Sequence, residues 1–395
     1  MKKALLITRV SGFIPQFEMN DVKILQEMGY EVHYAANFHE VVYGKDNSRL
    51  EGTGIIQHQI DFYRLPSPGN LHKAYKQLKK LMLKGDFDLI HCHMPMSAAV
   101  ARVAANKVRR MTGKNVPVLY TAHGFHFYTG APLKNWIFYP IEKHLARYTD
   151  RLILINNEDY KRACDKFKVR GSVERIMGIG MDLKKLEKTI EEEKMSDFDI
   201  HEKYNIDKKN AVIVSVGELT HRKNNIVMLR AMKELLDLDI TYVICGKGPM
   251  EEELKKEAKE LGVEDHVRFA GYVFNVYDIL SQADCFVFPS LQEGLPVAVM
   301  EAMAMGLPVI ATDIRGIRDL IKHSKGGYLV NDFEPENYAV KIRRMFTDEY
   351  RKSKKDRALR RKEMGEWNKK RIKKFSLEIV DKKMRQIYES VDKQM

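Results

Sequence analysis

Two glutamates eight positions apart, Glu293 and Glu301, lie in the stretch Phe288-Pro-Ser-Leu-Gln-Glu293-Gly-Leu-Pro-Val-Ala-Val-Met-Glu301-Ala-Met-Ala-Met-Gly306-Leu-Pro-Val-Ile. A carboxylate accepts two hydroxyl hydrogen bonds at once, which suits the diol of a ribose or hexose. Pro296 fits the first turn of a helix, and Gly306 can close that helix in a left-handed conformation. Glu293 is then expected in the loop ahead of the helix, with Glu301 about two turns further on. The N–H groups near Gly294 and Leu295 would face the loop's mouth, where an anion is favoured. A lone pair of glutamates at this spacing is ordinarily one helix-start acid and one solvated one. The surrounding Phe-Pro-Ser-x-x-Glu-Gly-Leu-Pro frame argues for a ligand instead: one acid at each end of a sugar nucleotide.

A second element, Ser215-Val-Gly217-Glu-Leu-Thr-His-Arg222-Lys223-Asn224, directly follows an apolar run. A turn there projects Arg222 and Lys223 towards the carboxyl edge of a sheet, where ligands of open α/β sheets bind. Two cations at that point can neutralise a diphosphate leaving group without a metal ion. In the first half, Thr121-Ala-His123-Gly124-Phe125-His126-Phe127-Tyr128 places His123 just past a strand, and Arg9-Val-Ser11-Gly12-Phe13 offers Gly12 for close backbone approach. His91-Cys92-His93 looks like a metal-ligand cluster. Strand alternation puts the two histidines on one face and the cysteine on the other, which is poor metal geometry, so no metal site is expected. Gly246-Lys-Gly248-Pro is a turn rather than a dinucleotide fingerprint.

The elements that must hold these residues read as two series. In the first, strands are expected at 4–8, 31–35, 88–92, 116–121 and 151–155, with helices at 19–28, 71–83, 96–110 and 136–148. This alternation predicts a parallel sheet with helices on both faces. The pattern lapses between 181 and 210, a charged stretch read as an interdomain connection with room for one helix. A second series supplies strands at 211–216, 240–245, 267–270, 285–288 and 308–311. The expected division is thus 1–185, 186–375 and a returning helix at 376–395, capped by Ser376 and carrying Leu377, Ile379, Val380, Met384, Ile387 and Tyr388 on one face.

At 395 residues with 44% hydrophobic content, the chain has room for two sizeable cores. No run approaches the length of a membrane-spanning helix. The basic-then-apolar opening is too short for a signal peptide and reads as a first strand. Four scattered cysteines argue for a reducing cytoplasm and against disulfides or a structural zinc. The net charge is +13, and residues 1–180 hold 27 Lys and Arg against 16 Asp and Glu. That asymmetry suggests an anionic partner for the first half. An anionic membrane ranks above nucleic acid, for which no recognition motif is present.

The Glu293–Glu301 stretch resembles the Glu-x₇-Glu signature of glycosyltransferase family 4. The resemblance implies a GT-B fold of two Rossmann-like domains facing across a cleft, the last helix crossing back to the first domain. It implies that Glu301 binds the nucleotide's ribose, that Glu293 attends the donor hexose, and that the backbone at Gly294 and Leu295 meets sugar and phosphate. Gly271-Tyr-Val273 resembles the segment whose backbone meets the base, so Val273 joins the donor site. His123 corresponds to a histidine beside the donor sugar, and Gly12 to the loop near donor phosphate and acceptor. Many members carry Gly-Arg-Leu where this chain has Glu218, which shifts the positive charge to Lys223, helped by Arg222.

The block from Ala122 to Tyr160 resembles a narrower branch acting on polyprenyl-diphosphate-linked saccharides in capsule, exopolysaccharide or glycan assembly. The implied reaction transfers a hexose or N-acetylhexosamine from a UDP-sugar with retention, without metal or cofactor, at the cytoplasmic face of the membrane. Rival readings are a dehydrogenase, disfavoured by the missing glycine fingerprint, a GT-B epimerase, and a non-catalytic sugar-nucleotide binder.

Overall fold

The computed structural model describes residues 1–64, 67–193, 197–347 and 354–392 of the chain. It divides into two compact units, Met1–Gly180 together with the segment from Leu377, and Met181–Ser376.

In the first unit the strands are β1 Lys2–Val10, β2 Tyr30–Asn37, β3 Ile56–Gln59, β4 Leu89–His93, β5 Val118–Ala122, β6 Arg151–Leu154 and β7 Ser172–Arg175. They form a parallel sheet in the order β3-β2-β1-β4-β5-β6-β7. Every residue of β4 and β5 is buried, as expected of strands covered by helices on both faces. The chain direction across the sheet reverses between β1 and β4, the switch point where open α/β sheets bind ligands.

The second unit repeats the plan with β8 Ala211–Val216, β9 Ile240–Cys245, β10 Val267–Gly271, β11 Cys285–Phe288, β12 Val309–Thr312 and β13 Gly327–Val330. Their order is β10-β9-β8-β11-β12-β13, with the switch point between β8 and β11.

Several expectations need correction. The division falls between Gly180 and Met181 rather than at 185, because Met181 donates its N–H to the Phe375 carbonyl and bridges Ser376. The stretch after it is no free connection. Helix Leu183–Glu193 packs on helix Val276–Gln282, and Leu186, Ile200 and Ile206 are buried. Widely spaced apolar anchors inside a charged run had hidden this docking.

The helix expected at 136–148 is broken into 3₁₀ turns Leu133–Ile137 and Ala146–Tyr148 around an α-helix Phe138–Leu145. Strands β3, β7 and β13 are additional; each lies at a sheet edge or opens on glycine, so none shows a long apolar run.

Two C-terminal helices matter for the sites. Lys354–Ile372 packs on helix Val297–Ala304, burying Met364 and Asn368, whose amide donates to the carbonyls of Leu307 and Gly326. Helix Leu377–Asp392 belongs to the first unit and packs on helix Met19–Glu27. It buries Val380, Met384, Ile387, Tyr388 and Val391, whereas Ile379, expected on that face, is exposed.

Candidate functional site: a carboxylate–cation cluster and a buried imidazole cluster

In the second unit, β8 and β11 end side by side and each delivers its motif to the same edge. Past β8 a 3₁₀ turn, His221–Lys223, carries the two cations. Past β11 the chain turns through Glu293 before helix Val297–Ala304, whose N-cap position is Pro296. The two turns are tied by backbone and side chain: Leu291 N–H donates to the Arg222 carbonyl at 2.9 Å, and Asn224 donates to the Pro289 carbonyl at 3.3 Å.

This brings Lys223 Nζ to 2.8 Å and Arg222 Nη1 to 2.6 Å from the same oxygen, Glu293 Oε1. Lys223 also lies 4.5 Å over the Phe288 ring, a cation–π contact that helps hold a charge with little water around it. Burial pulls the Lys223 ammonium below its ordinary value, and the Glu293 carboxylate opposes that shift. The two cations differ in exposure, with the Lys223 side chain 14% accessible and that of Arg222 46%. Arg315, itself buried, donates to the Glu293 carbonyl at 3.2 Å and fixes the turn that continues through Gly294 and Leu295.

Glu301 stands on the helix, where Tyr277 donates to its Oε1 at 3.2 Å. Burial raises its carboxyl above the ordinary range, and the Tyr277 hydrogen bond offsets part of that. Gly306, with φ +80°, closes the helix as its position predicts. Val273 lies in the loop between β10 and helix Val276–Gln282, half-buried between Tyr272 and Phe274. Those two aromatic rings, Phe274 at 95% accessibility, are a feature the sequence reading passed over; an aromatic pair with no covering on a ligand-bearing edge was its only signal.

His123 and Gly12 belong to the first unit. The bare Cα of Gly12 faces the chain itself: a Cβ there would come within 2.7 Å of the Val42 carbonyl oxygen. His123 follows β5 and joins a cluster that the sequence reading missed. Its Nε2 lies 3.1 Å from Glu18 Oε1 and 3.3 Å from His93 Nδ1, and His93 Nδ1 lies 3.7 Å from the same Glu18 oxygen. Deeper in, His91 is hydrogen-bonded to Tyr388 and to Thr121, each at 2.8 Å, with Asp21 Oδ2 at 3.6 Å.

Burial drives these groups to their neutral forms. The His91 imidazole is pushed down to about 3, with the neighbouring His123 adding to the shift; His93 is lowered likewise, and Asp21 is raised. Glu18, His93 and His123, and likewise Asp21, His91 and His93, are spaced so that each trio could hold a metal ion. Strand alternation correctly put both histidines on one face; the acids that complete the trios come from the helix packed over it.

Two parallel sheets of Rossmann order, the second with a carboxylate and two cations at its switch point, have the GT-B architecture. The comparisons narrow the class. The family model "Glycosyl transferases group 1" matches residues 196–366, and "Glycosyltransferase Family 4" matches residues 22–183. A putative glycosyltransferase EpsD of Bacillus subtilis (strain 168) is 35% identical over 352 residues, 87% of each chain. The chain belongs to glycosyltransferase family 4.

The UDP-Gal:alpha-D-GlcNAc-diphosphoundecaprenol alpha-1,3-galactosyltransferase of Escherichia coli is 31% identical over 272 residues, 66% of this chain and 67% of that one. Among solved structures, the sucrose-phosphate synthase of Thermosynechococcus elongatus superposes over all of both chains with TM-score 0.75 at 18% identity. Anabaena Alr3699/HepE, solved in complex with UDP and glucose, superposes with TM-score 0.71 at 16% identity over 99% of this chain and 100% of that one.

Proposed function

We propose that the protein is a retaining glycosyltransferase that moves a hexose or N-acetylhexosamine from a UDP-sugar to a polyprenyl-diphosphate-linked saccharide in surface-polysaccharide or glycan assembly. The observation that carries this reading is the single oxygen of Glu293 shared by Lys223 and Arg222 at the β8–β11 switch point. A half-buried lysine and an arginine held beside one carboxylate form a ready receptor for a diphosphate, which can take over one or both cations when it arrives.

In this reading Glu301 accepts the ribose hydroxyls and Glu293 the hexose hydroxyls, while the backbone at Gly294 and Leu295 meets sugar and phosphate. Val273 and its aromatic neighbours border the base. The family resemblance assigns His123 to the donor sugar and Gly12 to the loop near donor phosphate and acceptor. The bond from the anomeric carbon to the UDP oxygen breaks, and the acceptor oxygen bonds to that carbon on the same face. The departing phosphate oxygen takes the acceptor's proton. Lys223 and Arg222 stabilise the charge that develops on the leaving group, the task a divalent ion performs elsewhere, so no metal is assigned to this step.

A UDP-sugar donor is supported by the ligands of Alr3699/HepE and the name of the galactosyltransferase relative, and that name also supports a diphosphoundecaprenol acceptor. The basic excess of the first half favours a peripheral place at the cytoplasmic membrane face. Among the described residues no helix is long and apolar enough to cross a membrane.

The test is a panel of sugar nucleotides incubated with extracted polyprenyl-diphosphate saccharides, with products identified by mass spectrometry and free UDP quantified. UDP release that requires the acceptor, together with a heavier lipid-linked product, is the expected result. UDP-sugar turnover without acceptor, or tight binding with no turnover, would replace this reading with an epimerase or a binder.

A further inference from the structure

The first unit contains a cavity of about 930 Å³ that the reaction as derived above does not use. It adjoins the carboxyl ends of three strands, being lined by Arg9 near the end of β1, Met94 after β4, and Phe125 after β5. Helices Pro68–Gly85, Pro95–Thr112 and Phe138–Leu145 wall it with Leu71, Met96, Val100, Val103, Phe138 and Ile141. Three of those side chains remain open to water, Val103 at 41%, Phe138 at 42% and Ile141 at 47%.

Apolar residues on two separate helices turned to one cavity form a concave hydrophobic patch of the kind that marks a binding site. Glu142, which lines the cavity, accepts two hydrogen bonds from Arg102, at 2.9 and 3.1 Å, and that guanidinium lies 4.3 Å over the Tyr120 ring. The arginines that line the cavity are Arg9 and Arg64. Arg9 is held by Glu40 at 2.7 Å. An apolar hollow with two guanidinium groups in its wall matches an amphiphile with a hydrocarbon chain and a strongly acidic head. Phe125 comes two residues after His123, so the cavity shares the loop that carries this histidine.

We infer that this cavity receives the first isoprenoid units of the acceptor, with its diphosphate at Arg9 and Arg64. The inference rests on the lipid-linked acceptor proposed above and adds the place and chemistry of its recognition.

The experiment uses the full chain and a photoreactive farnesyl diphosphate, with crosslinks mapped by mass spectrometry and no donor present. Labelling is expected within 95–112 and 138–145, competed by undecaprenyl diphosphate and hardly by inorganic diphosphate. Ile141→Glu should reduce labelling at least about tenfold by placing a charge in the apolar wall, while Ile141→Met and UDP affinity stay near wild type. Arg9→Gln should weaken labelling by farnesyl diphosphate and not by a photoreactive farnesol. Labelling elsewhere, unchanged labelling in a folded Ile141→Glu protein, or competition by inorganic diphosphate alone would overturn the inference. So would labelling that follows binding to phosphatidylglycerol vesicles regardless of isoprenoid, which would make the patch a membrane-docking surface. Because the assay needs no turnover, a chain that labels as expected yet transfers no sugar refutes the proposed function and not the cavity.

Discussion

The imidazole cluster of the first unit is pushed towards neutrality by burial, whereas the cation cluster of the second is neutralised by pairing. Burial lowers His91 and His93 and raises the Asp21 carboxyl, in a network closed by Thr121 and Tyr388. Glu293 instead shares one oxygen with Lys223 and Arg222. The two sheets share strand order and a switch point, so the fold alone does not set this difference. It is set by what the loops and covering helices bring. A network of neutral groups offers hydrogen bonds with little net charge, while a shared carboxylate keeps two cations in place for an anion that competes for them.

The largest effect that tests this contrast is on the second unit. Lys223→Ala is expected to lower turnover by about 100-fold or more, the usual cost of losing one preorganised charge stabiliser. Arg222→Ala should cost under about tenfold, because its guanidinium is far more exposed and solvent screens it. Steady-state UDP release with both variants decides the order. Equal losses would mean that the cations act as one unit and that burial does not rank them.

A middle-sized effect should appear in the first unit as acid lability. A histidine whose folded value lies below its unfolded value adds stability above about 6.5, and that stability is lost as pH falls towards the folded value. For His91 the window runs from about 6.5 to about 3, and His93 acts in the same direction. Asp21, raised in the fold, works the opposite way, since its native form holds a proton the unfolded chain has released. Two imidazoles against one carboxyl leave the histidines dominant, so stability is expected to fall as pH drops below about 6.5. Hydrogen exchange between pH 6.5 and 5 should show β4 and β5 losing protection before β8 and β11, and His91→Gln should flatten the slope. Equal loss in both units would sink the contrast.

Much of this was legible from sequence, for reasons that differ by region. The inner strands announce themselves as short apolar runs because both faces are covered, and β8, β9 and β11 lie where their residues predict. The edge strands do not: Ile56–Gln59 is largely solvent-facing and reads as loop. At the sites, Glu293, Glu301 and Lys223 were legible because each motif follows its strand closely, so spacing and geometry coincide. The Glu18–His93–His123 cluster was not. Its members come from the N-cap of helix Met19–Glu27, the end of β4 and the residue after β5, and only the adjacency of β4 and β5 brings His93 and His123 within 3.3 Å. Burial was equally invisible: nothing in the string Met-Glu301-Ala distinguishes a solvated glutamate from one raised by desolvation.

The smallest effect concerns that glutamate, whose carboxyl is raised by burial as that of Asp21 is in the first unit. Glu301 has its folded value above its unfolded one, so the native state holds more protons between the two. Stability therefore falls as pH rises through that window, and above it the fold carries an ionised, poorly hydrated carboxylate. Glu301→Gln removes this cost and keeps an oxygen to accept the Tyr277 hydrogen bond. The variant is expected to melt on the order of 2 °C above wild type at pH 7.5, with the gap closing below about pH 4.5. Its affinity for a UDP-sugar should fall at the same time, because a neutral amide is a weaker acceptor for the ribose diol. Scanning calorimetry across pH, paired with donor titration, tests both halves. A variant less stable than wild type at neutral pH would show that Glu301 holds the fold together and is not a strained group kept for a ligand.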